Sequence, residues 1–100
     1  TGTASANPLI KLFDGRELTG KIKLYTFDIG PEILDAIVAG KMGFGMDGQQ
    51  YLMGFLPVLY LVENATHGFW VQNSTYTGPL FIDTPDKAKA ILTLSKEGIR

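Results

Sequence analysis

The sequence predicts an α/β domain built around a mostly parallel sheet, and three observations carry that prediction. Stretches with apolar residues at helical spacing alternate along the chain with short runs rich in β-favouring residues. Glycine and proline punctuate the junctions, as at Asp14-Gly15, Gly30-Pro31 and Gly40. The chain has 100 residues, 45% of them hydrophobic and 19% charged, values that suit one globular unit with one core. Strands separated by helices imply right-handed βαβ crossovers and hence parallel neighbours.

Taken in order, the first helix covers about residues 5–13, where Leu9, Ile10, Leu12 and Phe13 form an apolar stripe and Asp14-Gly15 offers a stop. Thr19-Gly20 turns the chain into a strand over 21–28, which closes on Asp28 before the Gly30-Pro31 turn. Pro31 suits the first position of a helix whose Ile33, Leu34, Ile37 and Val38 share one face and which Gly40 ends. Residues 42–47 are too short for a helix and read as a buried strand, again ending in a carboxylate, Asp47. The stretch 49–64 is apolar around most of its circumference, so it should be a well-covered helix, kinked or interrupted but not ended at Pro57. Residues 69–76, Gln72 among them, read as a loop or short edge strand, 80–82 as a strand, and 83–85 as the start of a last helix with Ala88, Ile91, Leu92 and Leu94 inward.

Charge and composition exclude several functions. Nine basic and ten acidic side chains give a formal charge of -1, too weak a field to hold a polyphosphate backbone, so nucleic acid is not an expected partner. Without cysteine there is no disulfide framework, thiolate zinc site or thiol nucleophile. The longest apolar region, 51–62, is broken by Gly54 and Pro57 and falls short of the roughly 18 apolar residues a membrane helix needs. The opening Thr1-Gly2-Thr3-Ala4-Ser5-Ala6-Asn7 has neither an initiator Met nor the regions of a signal peptide, and it reads like a strand end running into a helix. The expectation is a segment of a longer chain.

Among residues that could carry chemistry, 43–48 match the letters of the dinucleotide fingerprint, with Glu63 near the place of its ribose-binding acid. That motif requires a strand before the first glycine, whereas 31–39 is helical in pattern, so the glycines are read instead as places of close approach to the sheet. Asp28 and Asp47 both fall at strand ends, where an open parallel sheet binds ligands. His67 lies in a polar turn with no second histidine at ligand spacing, so a catalytic couple lacks its proton partner. Carboxylates accept hydroxyl hydrogens, and amides such as Gln49 and Gln50 both donate and accept, a set that matches vicinal hydroxyls of a neutral polyol. Asp28 is equally readable as a turn carboxylate ahead of Gly30-Pro31. Tyr51, Phe55, Phe69 and Trp70 are read as core, with Trp70 the best of them for stacking on a sugar ring. The triplets at Asn64 and Asn73 are read as turns.

The segment Tyr25-Thr26-Phe27-Asp28-Ile29-Gly30-Pro31-Glu32-Ile33-Leu34-Asp35-Ala36-Ile37-Val38-Ala39-Gly40-Lys41 resembles the strand, aspartate and helix of type I periplasmic sugar-binding proteins, the ribose-binding-like receptors of ABC transporters. Met46-Asp47-Gly48-Gln49-Gln50-Tyr51-Leu52-Met53-Gly54 resembles their strand-to-helix crossing, Thr77-Gly78-Pro79-Leu80-Phe81-Ile82 the strand after it, and 94–100 their usual ending.

The resemblance implies a doubly wound, three-layer αβα fold of which this chain is the C-terminal part. Residues 1–48 and 77–83 would then lie in the C-terminal lobe, with 49–76 and 84–100 crossing to or packing on the N-terminal lobe. It implies capture of a pentose or hexose in an interlobe cleft and delivery to a transporter permease, without cofactor or covalent chemistry, in the periplasm or outside the cell. Asp28 matches the family's acceptor of sugar hydroxyls. The family's glutamine falls on Gly48 and its proline on Gln50, so Gln49 or Asp47 takes the contact, or it is missing. Thr3 matches the polar residue of a cleft loop. Two other readings stay open, the effector-binding core of a lactose-repressor-like regulator and, on the glycine pattern alone, a nicotinamide-dependent α/β enzyme.

Overall fold

The computed structural model describes residues 2–71 and 73–100; Thr1 and Gln72 lie outside them. The elements run α1 (Thr3–Gly15), β1 (Tyr25–Phe27), α2 (Pro31–Val38), β2 (Phe44–Asp47), α3 (Gln50–His67), β3 (Leu80–Ile82) and α4 (Pro85–Lys96). The alternation and order are those expected, and the fold is α/β.

Helix α2 forms as its pattern dictates. Pro31 occupies the first turn, where its missing N–H is no loss, and Ile33, Leu34, Ala36 and Ile37 are buried. Gly40 ends it with φ 71°, donating to Ile37 O at 3.0 Å while Lys41 N donates to Ala36 O at 2.8 Å. That pair of bonds is a Schellman closure, and only glycine takes the left-handed conformation without strain. The core gathers around this helix: Ala6 from α1, Leu24, Met42, Ile82 from β3 and Ala88 from α4 close on it, with Leu9, Ile10, Phe13, Ile91 and Leu92 at its edge. Fully buried side chains such as Ile33 and Leu34 each contribute about 1.5–3 kcal/mol by leaving water. Leu12 and Leu94, expected inward, are exposed.

Strand β1 is shorter than expected. Residues 21–24 have no strand beside them because β2 begins only at Phe44, and the N–H groups of Lys21 and Ile22 turn back to Leu18 O instead. β1 pairs with β2 in parallel, Tyr25 opposite Phe44 and Phe27 opposite Met46. β3 pairs with β2 antiparallel, Asp47 opposite Leu80, so the sheet joins one parallel pair to one antiparallel pair. The reason is the path of the chain, for α3 and the segment after it return to the carboxyl end of β2 instead of crossing to its amino end.

Thr26, Gly45, Asp47 and Ile82 are buried on the sheet face that meets the core. The opposite face carries Tyr25, Phe27, Phe44, Met46 and Phe81, with ring centroids 4.6 Å apart for Tyr25 and Phe44 and 5.4 Å for Phe44 and Phe81. No described helix covers it: Tyr25, Phe27 and Phe81 remain exposed.

Helix α3 runs through Pro57 as one 18-residue element, so Pro57 neither ends nor interrupts it. No residue of α3 is buried, against the expectation of a well-covered helix, and the molecule is drawn out to 58 × 22 × 20 Å. Gly68 closes α3 in the left-handed conformation, its N–H donating to Asn64 O at 2.9 Å. The return segment then runs back along the helix: Asn64 Nδ2 donates to Phe69 O at 2.9 Å, and the Tyr60 and Thr75 hydroxyls lie 3.3 Å apart. Tyr51, Phe55, Phe69 and Trp70, read as core, are all exposed.

Helix α4 starts at Thr84, whose hydroxyl accepts from Lys87 N–H at 3.3 Å. Through Ala88, Ile91 and Leu92 it joins the core around α2. A surface tie links the ends of α1 and α2: Lys41 Nζ donates to Asp14 at 2.5 Å and Thr19 Oγ1 to the same carboxylate at 2.7 Å. The lysine hydrogen bond, then the threonine one, hold the Asp14 carboxyl below its ordinary value of 3.8. The stability this adds is present above that value and fades as pH falls below it.

Candidate functional site

The carboxyl ends of β1 and β2 lie side by side, so the turn leaving β1 and the turn leaving β2 meet at one edge of the sheet. Asp28 comes directly after β1, and its N–H donates to Met46 O at 2.8 Å, extending the ladder by one residue. Its φ of 64° is left-handed, a conformation that aspartate tolerates better than most residues with a β-carbon. The turn leaves the Asp28 carboxylate exposed at the sheet edge.

Gln50, the first residue of α3, reaches this carboxylate from the other strand, Nε2 donating to Asp28 Oδ1 at 2.6 Å. The loop before α1 arrives from a third direction. A β-carbon on Gly2 would stand 3.7 Å from Asp28 Oδ2, and one on Gly30 would stand 3.8 Å from Thr3 Cγ2. Thr3 is therefore a neighbour of the Asp28 turn, half-buried at the head of α1. Beside them opens a cleft of about 330 Å³ lined by Phe27, Asp28, Met46, Gly48, Met53 and Thr77 among others, within the size range of small-molecule sites. A larger groove of about 380 Å³ along α3 is lined by Leu52, Leu56, Tyr60 and Val71 and has no charged group for a polyol.

Asp47 lies on the inner side of the sheet. It is fully buried, one oxygen accepting Gln49 N–H at 2.7 Å and the other Arg100 Nη2 at 2.5 Å. The strand alternation that puts Gly45 inward puts Asp47 inward too, and Asp47 does not line the cleft beside Asp28. Gln49 is half-buried, its side-chain amide donating to Thr77 O, while Thr77 Oγ1 donates to Gly48 O at 2.7 Å. Gln49 thus laces the outgoing and returning chains together, and the amide beside Asp28 is Gln50. Sequence analysis places Gln50 among the amides suited to vicinal hydroxyls but gives no sign that its side chain pairs with Asp28.

The glycines of 43–48 do not form a phosphate loop. Gly45 sits within β2, where an added β-carbon would come within 3.1 Å of Ile29 Cγ2 and 3.4 Å of Ile33 Cγ2, so its smallness lets the 29–33 segment approach the sheet. His67 ends α3 in the open, 3.1 Å from Glu63 Oε2 and stacked on Phe69.

Gly78 marks the tightest approach of the two chain passages. A β-carbon there would stand 2.7 Å from Asp47 O and 3.1 Å from Gly48 Cα, and both are backbone atoms that cannot swing aside. Gly78→Ala is therefore expected to cost about 1–3 kcal/mol by overpacking. Chemical denaturation with an unshifted midpoint would show that the passages have room to part.

No family model matches the chain, and no curated protein matches it. Among solved structures it is similar to a carbohydrate transporter from Acidothermus cellulolyticus 11B in complex with myo-inositol, with 26% sequence identity and a TM-score of 0.76. The alignment covers 93% of this chain and 34% of that one, so the chain spans about a third of the length of the structure it matches. The chain has part of a periplasmic-binding-protein fold. Within that fold the exposed Asp28 carboxylate stands at a strand end beside an open cleft, and no helix of the described residues is long and apolar enough to cross a membrane.

Proposed function

We propose that this chain supplies part of the binding site of a sugar receptor, taking a neutral cyclic polyol or monosaccharide by hydrogen bonds alone and presenting it to a membrane transporter. The observation that carries the reading is the exposed Asp28 carboxylate with the Gln50 amide 2.6 Å away, at a strand end of a fold similar to a transporter protein holding myo-inositol. An ionised carboxylate accepts from two neighbouring hydroxyls, and an amide beside it offers both a donor and an acceptor, which suits the alternating needs of vicinal hydroxyl groups. Thr3, next to the Asp28 turn, is the third candidate contact. In this reading the cleft is completed by residues of a second lobe, the permease recognises the closed receptor, and the work is done in the periplasm or outside the cell.

The test is calorimetric titration of the intact protein with myo-inositol, ribose, xylose and glucose. Saturable binding of at least one, in the micromolar range, is expected. Absence of heat with all four, together with no rise in melting temperature, overturns the reading.

A further inference from the structure

We propose that Arg100 is a positioning residue for the Asp28 carboxylate, acting through Asp47, Gln49 and Gln50. The proposal rests on the sugar-binding reading for its consequence, though not for its geometry. Gly98, with φ 75°, turns the chain after α4, and Ile99 N and Arg100 N both donate to Leu94 O. That turn delivers the guanidinium to Asp47, Nη2 to Oδ2 at 2.5 Å, across 53 residues of sequence. The other Asp47 oxygen accepts the N–H of Gln49 at 2.7 Å, a two-residue side-chain turn. Gln49 itself stands at φ 57° and ψ 58°, left-handed, a conformation that a residue with a β-carbon holds only when its surroundings fix it. The next residue is Gln50, and only with Gln49 so bent does its amide meet Asp28 Oδ1 at 2.6 Å.

Three hydrogen bonds and one peptide link make up the relay, and the whole of it hangs on a carboxylate with no exposed surface. Taking away the guanidinium leaves that buried charge without its partner, the least tolerable state for an ion pair of this kind. The carboxylate would relax toward water and draw the Gln49 N–H with it, releasing Gln50 from Asp28. With Gln50 in place, Asp28 Oδ1 holds one hydrogen bond and the orientation of the exposed carboxylate beside the cleft is fixed.

Two measurements on the intact protein test this. In the first, the side-chain amide resonances of Gln50 are followed by 15N-correlated NMR without ligand. Arg100→Met should move them to the position of a solvated glutamine amide, as loss of the partner carboxylate in Asp28→Gly does without straining the left-handed backbone, while Arg100→Lys should restore them in part. Unmoved resonances in a folded Arg100→Met protein overturn the relay, whatever the protein binds. In the second, myo-inositol and ribose affinities are measured for Arg100→Met, Gln50→Met and the double variant. Each single change should weaken binding by roughly tenfold, and the double variant should be close to the weaker single, since coupled residues do not add. Losses that multiply to about a hundredfold would assign Arg100 a separate, merely structural part and overturn the proposal. If Arg100→Met does not fold, Arg100→Gln and Asp47→Asn carry the same comparison. A wild type that binds neither sugar would count against the sugar reading, and the NMR result would still decide the relay.

Discussion

Replacing Asp28 by Asn should weaken sugar binding by at least about tenfold in the intact protein while leaving it folded. The carboxylate is exposed, so its loss uncovers no buried partner, and asparagine tolerates the left-handed φ of 64° as well as aspartate does. Alanine would add backbone strain and confuse the result. A hydrogen bond to a charged group is worth about 1.5–3 kcal/mol, and about 1.4 kcal/mol is a factor of ten in affinity. Asparagine also presents an amide that donates toward ligand hydroxyls or toward the Gln50 amide, which itself donates to Asp28 now. Calorimetry with the best-bound sugar decides the matter, and an unchanged affinity would remove Asp28 from the site.

A polypeptide of residues 1–100 alone should bind the same sugar in the millimolar range or more weakly, and should self-associate. If the cleft is completed by a second lobe, as proposed, these residues lack two or three charge-assisted hydrogen bonds, a loss that carries a micromolar site to about millimolar or beyond. Its apolar exposure is large: on α3, Tyr51, Met53, Phe55, Val58, Leu61 and Val62 are each about half or more exposed, and the Tyr25, Phe27 and Phe81 sheet face is open as well. Contiguous apolar surface of this kind seeks a cover, and in solution the nearest one is another copy. Sedimentation analysis and sugar titration together test this. A monomer with micromolar affinity would show a complete site in these residues.

The part of the site that could be read from the sequence was the part made by one strand and its own turn. Asp28 is marked by the β-favouring run before it and by Gly30-Pro31 after it, both local signals. What could not be read were contacts that depend on a backbone twist elsewhere. The meeting of Gln50 with Asp28 requires Gln49 to be left-handed, and that depends on Asp47 being held by a residue 53 positions away. The direction of β3 was hidden for a similar reason, since strand composition is the same whichever way the chain returns. The aromatic residues of α3 were misread because an apolar pattern announces that a surface wants cover but says nothing about which body provides it. By contrast α2, with its proline, stripe and glycine all in place, formed where every local preference agreed.

The drawn-out shape of the molecule has a mechanical meaning. Helix α3 extends about 27 Å at 1.5 Å per residue, and it leaves the sheet through one short passage and comes back through a second laid against the first at Gly78. Two tethers side by side permit swing about one axis and resist it about the others, as a strap differs from a string. A turn of about 10° at the base would carry the far tip of a lever of that length through about 5 Å. Asp28 and Gln50 stand at the base of that lever, beside the paired passages, where a given rotation displaces atoms least.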